Sequence, residues 1–164
     1  MKVAIMTDTN SSITLEEGQR DGIFLMTLPV IIGDKTYIEG ENLSTNELYQ
    51  GMVEGVEVKT SQPSPQDLMD MWQGILDEGY DEIVYIPMTL TLSSSYNTAA
   101  AFAQEFEGKV QVVNNYRLSS MLYEAVYDAK ALADKGMSAK EIKEKLEPSM
   151  FKLIYFILTD ILKL

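Results

Sequence analysis

Short apolar runs alternate with amphipathic stretches along most of the chain. Four of these runs have the length and the branched residues typical of buried strands: residues 2–7, 82–87, 110–113 and 153–158. From residue 56 onward, strand-like runs alternate with segments whose apolar residues recur at helical spacing. This order is typical of βαβ units. The sequence therefore predicts an α/β fold: a doubly wound, mainly parallel sheet with helices on both faces.

The N-terminal third is less regular. Residues 23–32 are apolar but contain Pro29, which predicts an edge strand or an irregular one. Gly33 and Asp34 then turn the chain back, so we expect a small hairpin with residues 36–38. Helix starts are indicated by three capping boxes and one Ser-Pro N-cap: Thr14 with Glu17, Ser44 with Glu47, Ser138 with Glu141, and Ser64 before Pro65.

The negative charge of the chain argues against polyanionic partners. Its 164 residues carry a net charge of −12 and contain no His and no Cys. An acidic surface repels phosphate backbones and anionic lipid headgroups, so we expect neither nucleic-acid binding nor membrane insertion. The start of the chain does not resemble a signal peptide, and no apolar stretch reaches the roughly 18 residues that span a bilayer. We expect a cytoplasmic protein without a disulfide framework.

Two hydroxyl-rich turns carry the strongest functional signal: residues 60–65 and residues 92–97. Each precedes a predicted helix, and the first N–H groups of a helix have no internal partner and carry the positive end of its dipole. Hydroxyls beside such N–H groups form a site for a carboxylate or phosphate oxygen. Capping is the simpler explanation for Ser64 and for Ser93. It does not explain the hydroxyls that precede Ser64 or the run of three serines that begins at Ser93.

Catalytic chemistry finds less support. A serine nucleophile usually needs His as its base, and a phosphate-binding loop needs a Gly-x-x-x-x-Gly-Lys pattern; the chain contains neither. A hydroxyl paired with Lys59 stays open as an alternative. Asp8, which follows the first predicted strand, is either a base, a metal ligand or the acceptor of an Asx turn. The ten Met residues suit either core packing or an adaptable pocket. We predict no catalytic residue and no metal site.

Several motifs follow one another in a familiar order. They are Thr7-Asp8-Thr9, Leu28-Pro29-Val30, Tyr37-Ile38-Glu39-Gly40, Thr60-Ser61-Gln62-Pro63-Ser64, Leu92-Ser93-Ser94-Ser95-Tyr96 and Val112-Val113-Asn114-Asn115. Together they resemble the DegV-like proteins, the fatty-acid-binding subunits that serve bacterial fatty acid kinase. The match at residues 60–64 is complete and is the most specific. Ser94 stands where the family has Gly, and Asn114 and Asn115 stand where it has Asp and Ser.

The resemblance implies both a domain organisation and a function. We expect a DegV-like N-terminal α/β domain over residues 1–150, followed over residues 151–164 by the start of a truncated second domain. A long-chain fatty acid would be the ligand, and its carboxylate would be presented to a fatty acid kinase subunit. The residues matching the family's carboxylate site, or lying beside it, are Thr60, Ser61, Ser93 and Ser94. The chain would not itself be an enzyme and would need no other cofactor.

Two alternatives stay open beside this interpretation. One is a hydrolase or transferase that uses a Ser or Thr hydroxyl of the same turns. The other is a truncated fragment that no longer binds a ligand.

Overall fold

The described part of the protein contains two sheets and five α-helices whose bounds are given below. The computed structural model describes residues 1–38, 42–43, 46, 50 and 53–148. The elements in chain order are β1 Val3–Asp8, α1 Leu15–Asp21, β2 Ile23–Met26, β3 Pro29–Ile32, β4 Lys35–Ile38, β5 Val58–Thr60, α2 Pro65–Asp77, β6 Glu82–Ile86, α3 Ser95–Phe102, β7 Val110–Val112, α4 Ser120–Asp134 and α5 Ala139–Leu146. The predicted capping box of Ser44 and Glu47, the strand at 153–158 and the second domain from residue 151 lie outside the described residues.

The larger sheet confirms the predicted fold class. Its four strands run parallel in the order β2-β1-β6-β7. On one face, α2 and α3 pack against residues such as Met6 and Tyr85; on the other, α4 and α5 pack against residues such as Ile5 and Val84. Successive residues of a strand point to opposite faces, which is why neighbours on β1 and β6 enter different cores. The sheet is therefore doubly wound.

The smaller sheet divides the apolar segment at residues 23–32. That segment forms two strands: β2 joins the parallel sheet, whereas β3 lies between β4 and β5 in an antiparallel sheet. The expected hairpin is present, with Gly33 in the left-handed conformation that its turn requires (φ 59°). The expectation of an edge strand is confirmed for β2, which lies at one edge of the parallel sheet, and is wrong for β3, which lies between two strands. Pro29 is tolerated there because it is the first residue of the strand.

The strand before α2 also belongs to the smaller sheet, so the parallel alternation begins later than residue 56. β5 pairs antiparallel with β3 and has no place in the parallel sheet. α2 nevertheless leads into β6, whose first residue lies at the amino edge of that sheet. Because a crossover helix runs antiparallel to the strand it feeds, α2 begins at the carboxyl edge. The turn at residues 60–64 therefore lies at the carboxyl edge of the parallel sheet, although the strand before it belongs to the smaller sheet.

Helix boundaries follow the capping signals closely, with one exception. Thr14 and Ser138 each form a complete capping box, and Ser64 caps α2. α3 begins at Ser95, two residues after the start predicted at Ser93, because the hydroxyl of Ser93 is bonded within the turn. In the described part of the chain, no helix is long and apolar enough to cross a membrane.

Candidate functional site

Buried polar side chains gather at the carboxyl edge of the parallel sheet. Those of the described residues are Thr7, Asp8, Ser11, Thr89, Ser95 and Asn115. All of them end a strand, follow one closely or begin α3. Burying a polar group costs free energy unless it is paired, so such a concentration is unusual for a merely structural edge. Ligands of open parallel sheets bind at this edge, which makes it the candidate site.

Hydroxyls build the turn that leads into α3. The Ser93 hydroxyl accepts a hydrogen bond from the backbone N–H of Ser95 (3.1 Å) and lies 2.7 Å from the Ser95 hydroxyl. When Ser95 is the donor of this second bond, the hydroxyl proton of Ser93 is free to point at a ligand. Ser94 makes no side-chain cap, and the N–H groups of Tyr96 and Asn97 have no acceptor among the described residues. The start of α3 therefore retains several unused donors.

The other hydroxyl turn begins at the end of β5. Thr60 pairs with Val30 in the smaller sheet, its side chain is exposed, and its hydroxyl has no partner within the described ranges. Ser61 differs, since its N–H donates to the carbonyl of Pro29 (3.0 Å) and its hydroxyl to the carbonyl of Gln62 (3.1 Å). Thr60 is thus ready to bind a ligand, whereas Ser61 would first have to give up its bond to Gln62.

One hydrogen bond joins the first hydroxyl turn to the helix that follows the second. The hydroxyl of Thr98, one turn into α3, donates to the side-chain oxygen of Gln62 (3.3 Å). Gln62, in the first hydroxyl turn, and Thr98, in the helix that follows the second, lie 36 positions apart in sequence. The structure thus places the turn that begins at Thr60 beside α3, the helix that follows Ser93 and Ser94.

The two helix N-termini at this edge differ in what they can offer an anion. The start of α2 is already satisfied: Ser64 accepts the N–H of Asp67 (3.1 Å), and the Ser64 hydroxyl donates to the Asp67 carboxylate (2.7 Å). That carboxylate also offsets the positive end of the helix dipole. The first turn of α3 has no acidic residue and no side-chain cap. An anion at this edge is therefore better placed at α3 than at α2.

Asp8 forms an Asx turn. Its carboxylate accepts the N–H of Asn10 (3.0 Å) and that of Met88 (2.8 Å), and its side chain is 0 % exposed. Burial raises the pKa of Asp8, and the hydrogen bonds from Met88 and Asn10 only partly offset this rise. A carboxylate so enclosed, with two backbone donors, holds loops together. Of the alternatives that the sequence left open, the structure shows this one.

Thr89, Ser95 and Asn115 belong to the buried polar cluster but are not among the site residues that the sequence predicted. Asn115 is 2 % exposed; its Oδ1 accepts the N–H of Arg117 (3.0 Å), while its Nδ2 has no hydrogen-bond partner in the described part of the chain. The available signal was position, because Thr89 and Asn115 follow the ends of β6 and β7 by only a few residues. Such short polar segments are hard to separate from ordinary loops without the sheet order.

The remaining chemical alternatives lose support. Across the described residues, no three acidic, His or Cys side chains could share a metal ion. The ammonium of Lys59 lies 2.9 Å from the carboxylate of Glu57, an exposed ion pair that does not suit a buried base. Among the ten Met residues, four that are partly buried pack against the two cores: Met69, Met71, Met88 and Met137. Core packing explains those four side chains.

Comparison with known proteins gives the site its context. The family model described as an uncharacterised protein of the DegV family matches residues 2–164. A DegV domain-containing protein of Streptococcus pneumoniae is 29% identical over 98% of this chain and 57% of its own length. The solved structure of a fatty-acid-binding DegV family protein from Thermus thermophilus is 30% identical, with a TM-score of 0.81, covering 90% of this chain and 53% of that one.

A further solved structure agrees with this result. The fatty-acid-binding DegV family protein of Streptococcus agalactiae is 25% identical to this chain, with a TM-score of 0.80, and the match covers 92% of this chain and 54% of that one. The chain thus spans about half the length of the relatives that it matches. The family model matches residues 2–164 and the fold resembles that of solved relatives, so the chain belongs to the DegV family.

Proposed function

We propose that this protein binds a long-chain fatty acid and presents its carboxylate to a fatty acid kinase. The observation that carries the proposal is the start of α3, where an uncapped helix N-terminus without an acidic residue lies beside the hydroxyls of Ser93 and Ser94. The relatives of known structure described above bind fatty acids, and the family resemblance implies the kinase. On a protein with a net charge of −12, this helix N-terminus without an acidic residue offers an anion a local positive end of a helix dipole.

In the proposed site, hydroxyls from both turns donate hydrogen bonds to the carboxylate. The free hydroxyl of Thr60 donates from the side of the smaller sheet, and Ser93 donates from the start of α3. Ser94 contributes through its exposed hydroxyl, and Ser61 does so once its hydroxyl leaves Gln62. Hydrogen bonds to an ionised acceptor are worth more than those between neutral groups, which suits hydroxyl donors to this task. The phosphoryl chemistry belongs to the kinase, so no residue of this chain needs to react.

Replacing both central hydroxyls tests the proposal. In the double variant Thr60→Ala/Ser93→Ala we expect fatty-acid affinity to fall by about a hundredfold or more, because two charge-assisted hydrogen bonds are lost at about 1.5–3 kcal/mol each. The measurement is mass spectrometry of lipid extracted from the purified protein, together with titration calorimetry with a defined fatty acid. Intact-protein mass spectrometry on the same sample would reveal an acyl adduct, which would favour the enzymatic alternative.

Ser64→Ala is the matched control. It removes the cap of α2 at a cost of about 1 kcal/mol in stability, but it leaves both hydroxyls in place. Its bound lipid should equal that of the wild type. A double variant that retains as much fatty acid as this control would show that the carboxylate lies elsewhere.

A further inference from the structure

Asp8 ties the end of β1 to a loop that lies 80 residues further along the chain. One carboxylate oxygen accepts the N–H of Met88 at 2.8 Å, and the other accepts the N–H of Asn10 at 3.0 Å. The side chain is fully buried. The first strand therefore holds the loop after β6 through this carboxylate.

That loop carries the hydroxyl of Ser93. The carbonyl of Thr89 accepts the N–H groups of Leu92 (3.1 Å) and Ser93 (3.3 Å), and the Thr89 N–H donates to the carbonyl of Arg117 (3.2 Å). Because Thr89 follows Met88 directly, any shift of Met88 also moves the carbonyl on which Ser93 is anchored. A short chain of hydrogen bonds thus leads from Asp8 to the start of α3.

Holding a loop with a buried carboxylate costs free energy, because the charged group must be removed from water. Removal from water disfavours the charged form, which is why burial raises the pKa of Asp8 despite its hydrogen bonds. In return, an ionised carboxylate accepts two N–H groups at once with charge-assisted bonds that are shorter and stronger than neutral ones. Such a device is better suited to fixing a position than to adding stability.

We propose that Asp8 is a positioning residue for the carboxylate site, which fixes the loop from Met88 to Ser94 and thereby the hydroxyl of Ser93. This inference rests on the proposed function and adds to it a residue that does not touch the ligand. Because the loop is held in this way, the distance between Ser93 and the turn that carries Thr60 stays fixed.

The variant Asp8→Asn tests the proposal. It keeps the size of the side chain but places an amide group where one of the two N–H donors needs an acceptor. In the ligand-free protein, we expect the amide NMR signals of Met88 and Ser93 to shift and those of Thr60 and Ser61 to stay. Fatty-acid affinity should fall about tenfold, as expected for the partial loss of one hydrogen bond to a charged group.

Thr7→Val is the matched control. Thr7 is equally buried on the same strand, but its hydroxyl donates to the carbonyl of Ile86 (2.7 Å), the last residue of β6, and makes no bond to the loop from Met88 to Ser94. This variant should lower the melting temperature while leaving the Ser93 signal in place and the affinity within twofold. A merely structural role for Asp8 would make the two variants alike in both readouts.

The outcomes separate the inference from the proposed function. A Ser93 signal that does not move in Asp8→Asn overturns the inference, and so does an affinity equal to that of Thr7→Val. A wild type that binds no fatty acid overturns the proposed function, while the ligand-free spectra still decide whether Asp8 sets the position of Ser93.

A titration of the wild type serves if Asp8→Asn does not fold. The carboxyl carbon of Asp8 and the amides of Met88 and Ser93 should change with one common midpoint as the pH falls. The titratable group that faces Asp8 is Tyr85 on β6; burial and the charge of Asp8 raise the pKa of Tyr85 well above its usual value, so it stays protonated throughout. A Ser93 amide that is insensitive to the Asp8 titration would overturn the inference.

Discussion

At the scale of single residues, two buried polar atoms on the α2 side of the sheet have no partner among the residues that the structure describes. They are the hydroxyl of Tyr85 and the indole N–H of Trp72, and both side chains are 0 % exposed. Their rings meet edge to face with centroids 6.0 Å apart. A buried polar group without a partner loses its hydration and gains nothing in exchange. The aromatic bodies of these residues therefore stabilise the core, and their polar atoms weaken it.

Tyr85→Phe should accordingly stabilise the protein. Removing the unpartnered hydroxyl keeps the ring contact with Trp72, and we expect the free energy of unfolding to rise by about 1 kcal/mol. Tyr127→Phe is the comparison, since the Tyr127 hydroxyl donates to Asp21 (2.6 Å) and its loss should lower stability. Urea denaturation measures both. If Tyr85→Phe is the more damaging of the two, the hydroxyl of Tyr85 has a partner in solution.

At the scale of elements, two helical glycines occupy opposite environments. Gly74 lies on the exposed side of α2, and a Cβ there would meet no atom within 4 Å. Gly18 is buried in α1, where a Cβ would come within 2.9 Å of the carbonyl oxygen of Ile23 and 2.8 Å of the Leu25 side chain. Gly18 thus lets α1 approach β2 closely, whereas no close packing requires a glycine at position 74.

The same substitution should therefore act in opposite directions at the two glycines. Gly74→Ala should raise the free energy of unfolding by about 0.5–1 kcal/mol, the helix preference of Ala over Gly. Gly18→Ala should lower it by about 1–3 kcal/mol, because a backbone oxygen must move. Equilibrium denaturation of both variants decides the matter, and a stable Gly18→Ala would mean that α1 can withdraw from β2 at little cost.

How far the sequence predicts these elements depends on whether the signal is local. Capping at Thr14, Ser64 and Ser138 is decided within four residues, and all three caps are present. The division of residues 23–32 between two sheets depends on which strands β2 and β3 pair with, and a hydrophobic run in the sequence does not specify its partner. The contact of the first hydroxyl turn with α3 through Gln62 and Thr98 is likewise tertiary. The family resemblance supplied that grouping where periodicity alone did not.

At the scale of the whole molecule, the net charge of −12 acts against the proposed ligand before it arrives. A carboxylate approaching an acidic protein is repelled over a distance set by the ionic strength, about 30 Å at 0.01 M and 8 Å at 0.15 M salt. The donors at the start of α3 act only at short range. Encounter and binding are therefore governed by opposite electrostatic effects.

Salt should speed the association of the ligand. The rate constant for a fluorescent fatty acid should rise between 0.01 and 0.15 M NaCl, because screening weakens the long-range repulsion. A fatty alcohol of equal length, which is uncharged, should show little change in the same stopped-flow measurement. A rate for the acid that instead falls with salt would show that the field at the site is positive well beyond the first helical turn.

The division of the two hydroxyl turns between two sheets has a mechanical consequence. Thr60 ends a strand of the antiparallel sheet, whereas Ser93 lies in a loop that follows a strand of the parallel sheet. In the proposed site, a small rotation of one sheet against the other would change the distance between these two hydroxyls without altering any side chain. Release of the proposed ligand would then need only such a rotation of the sheets and no change in a side chain.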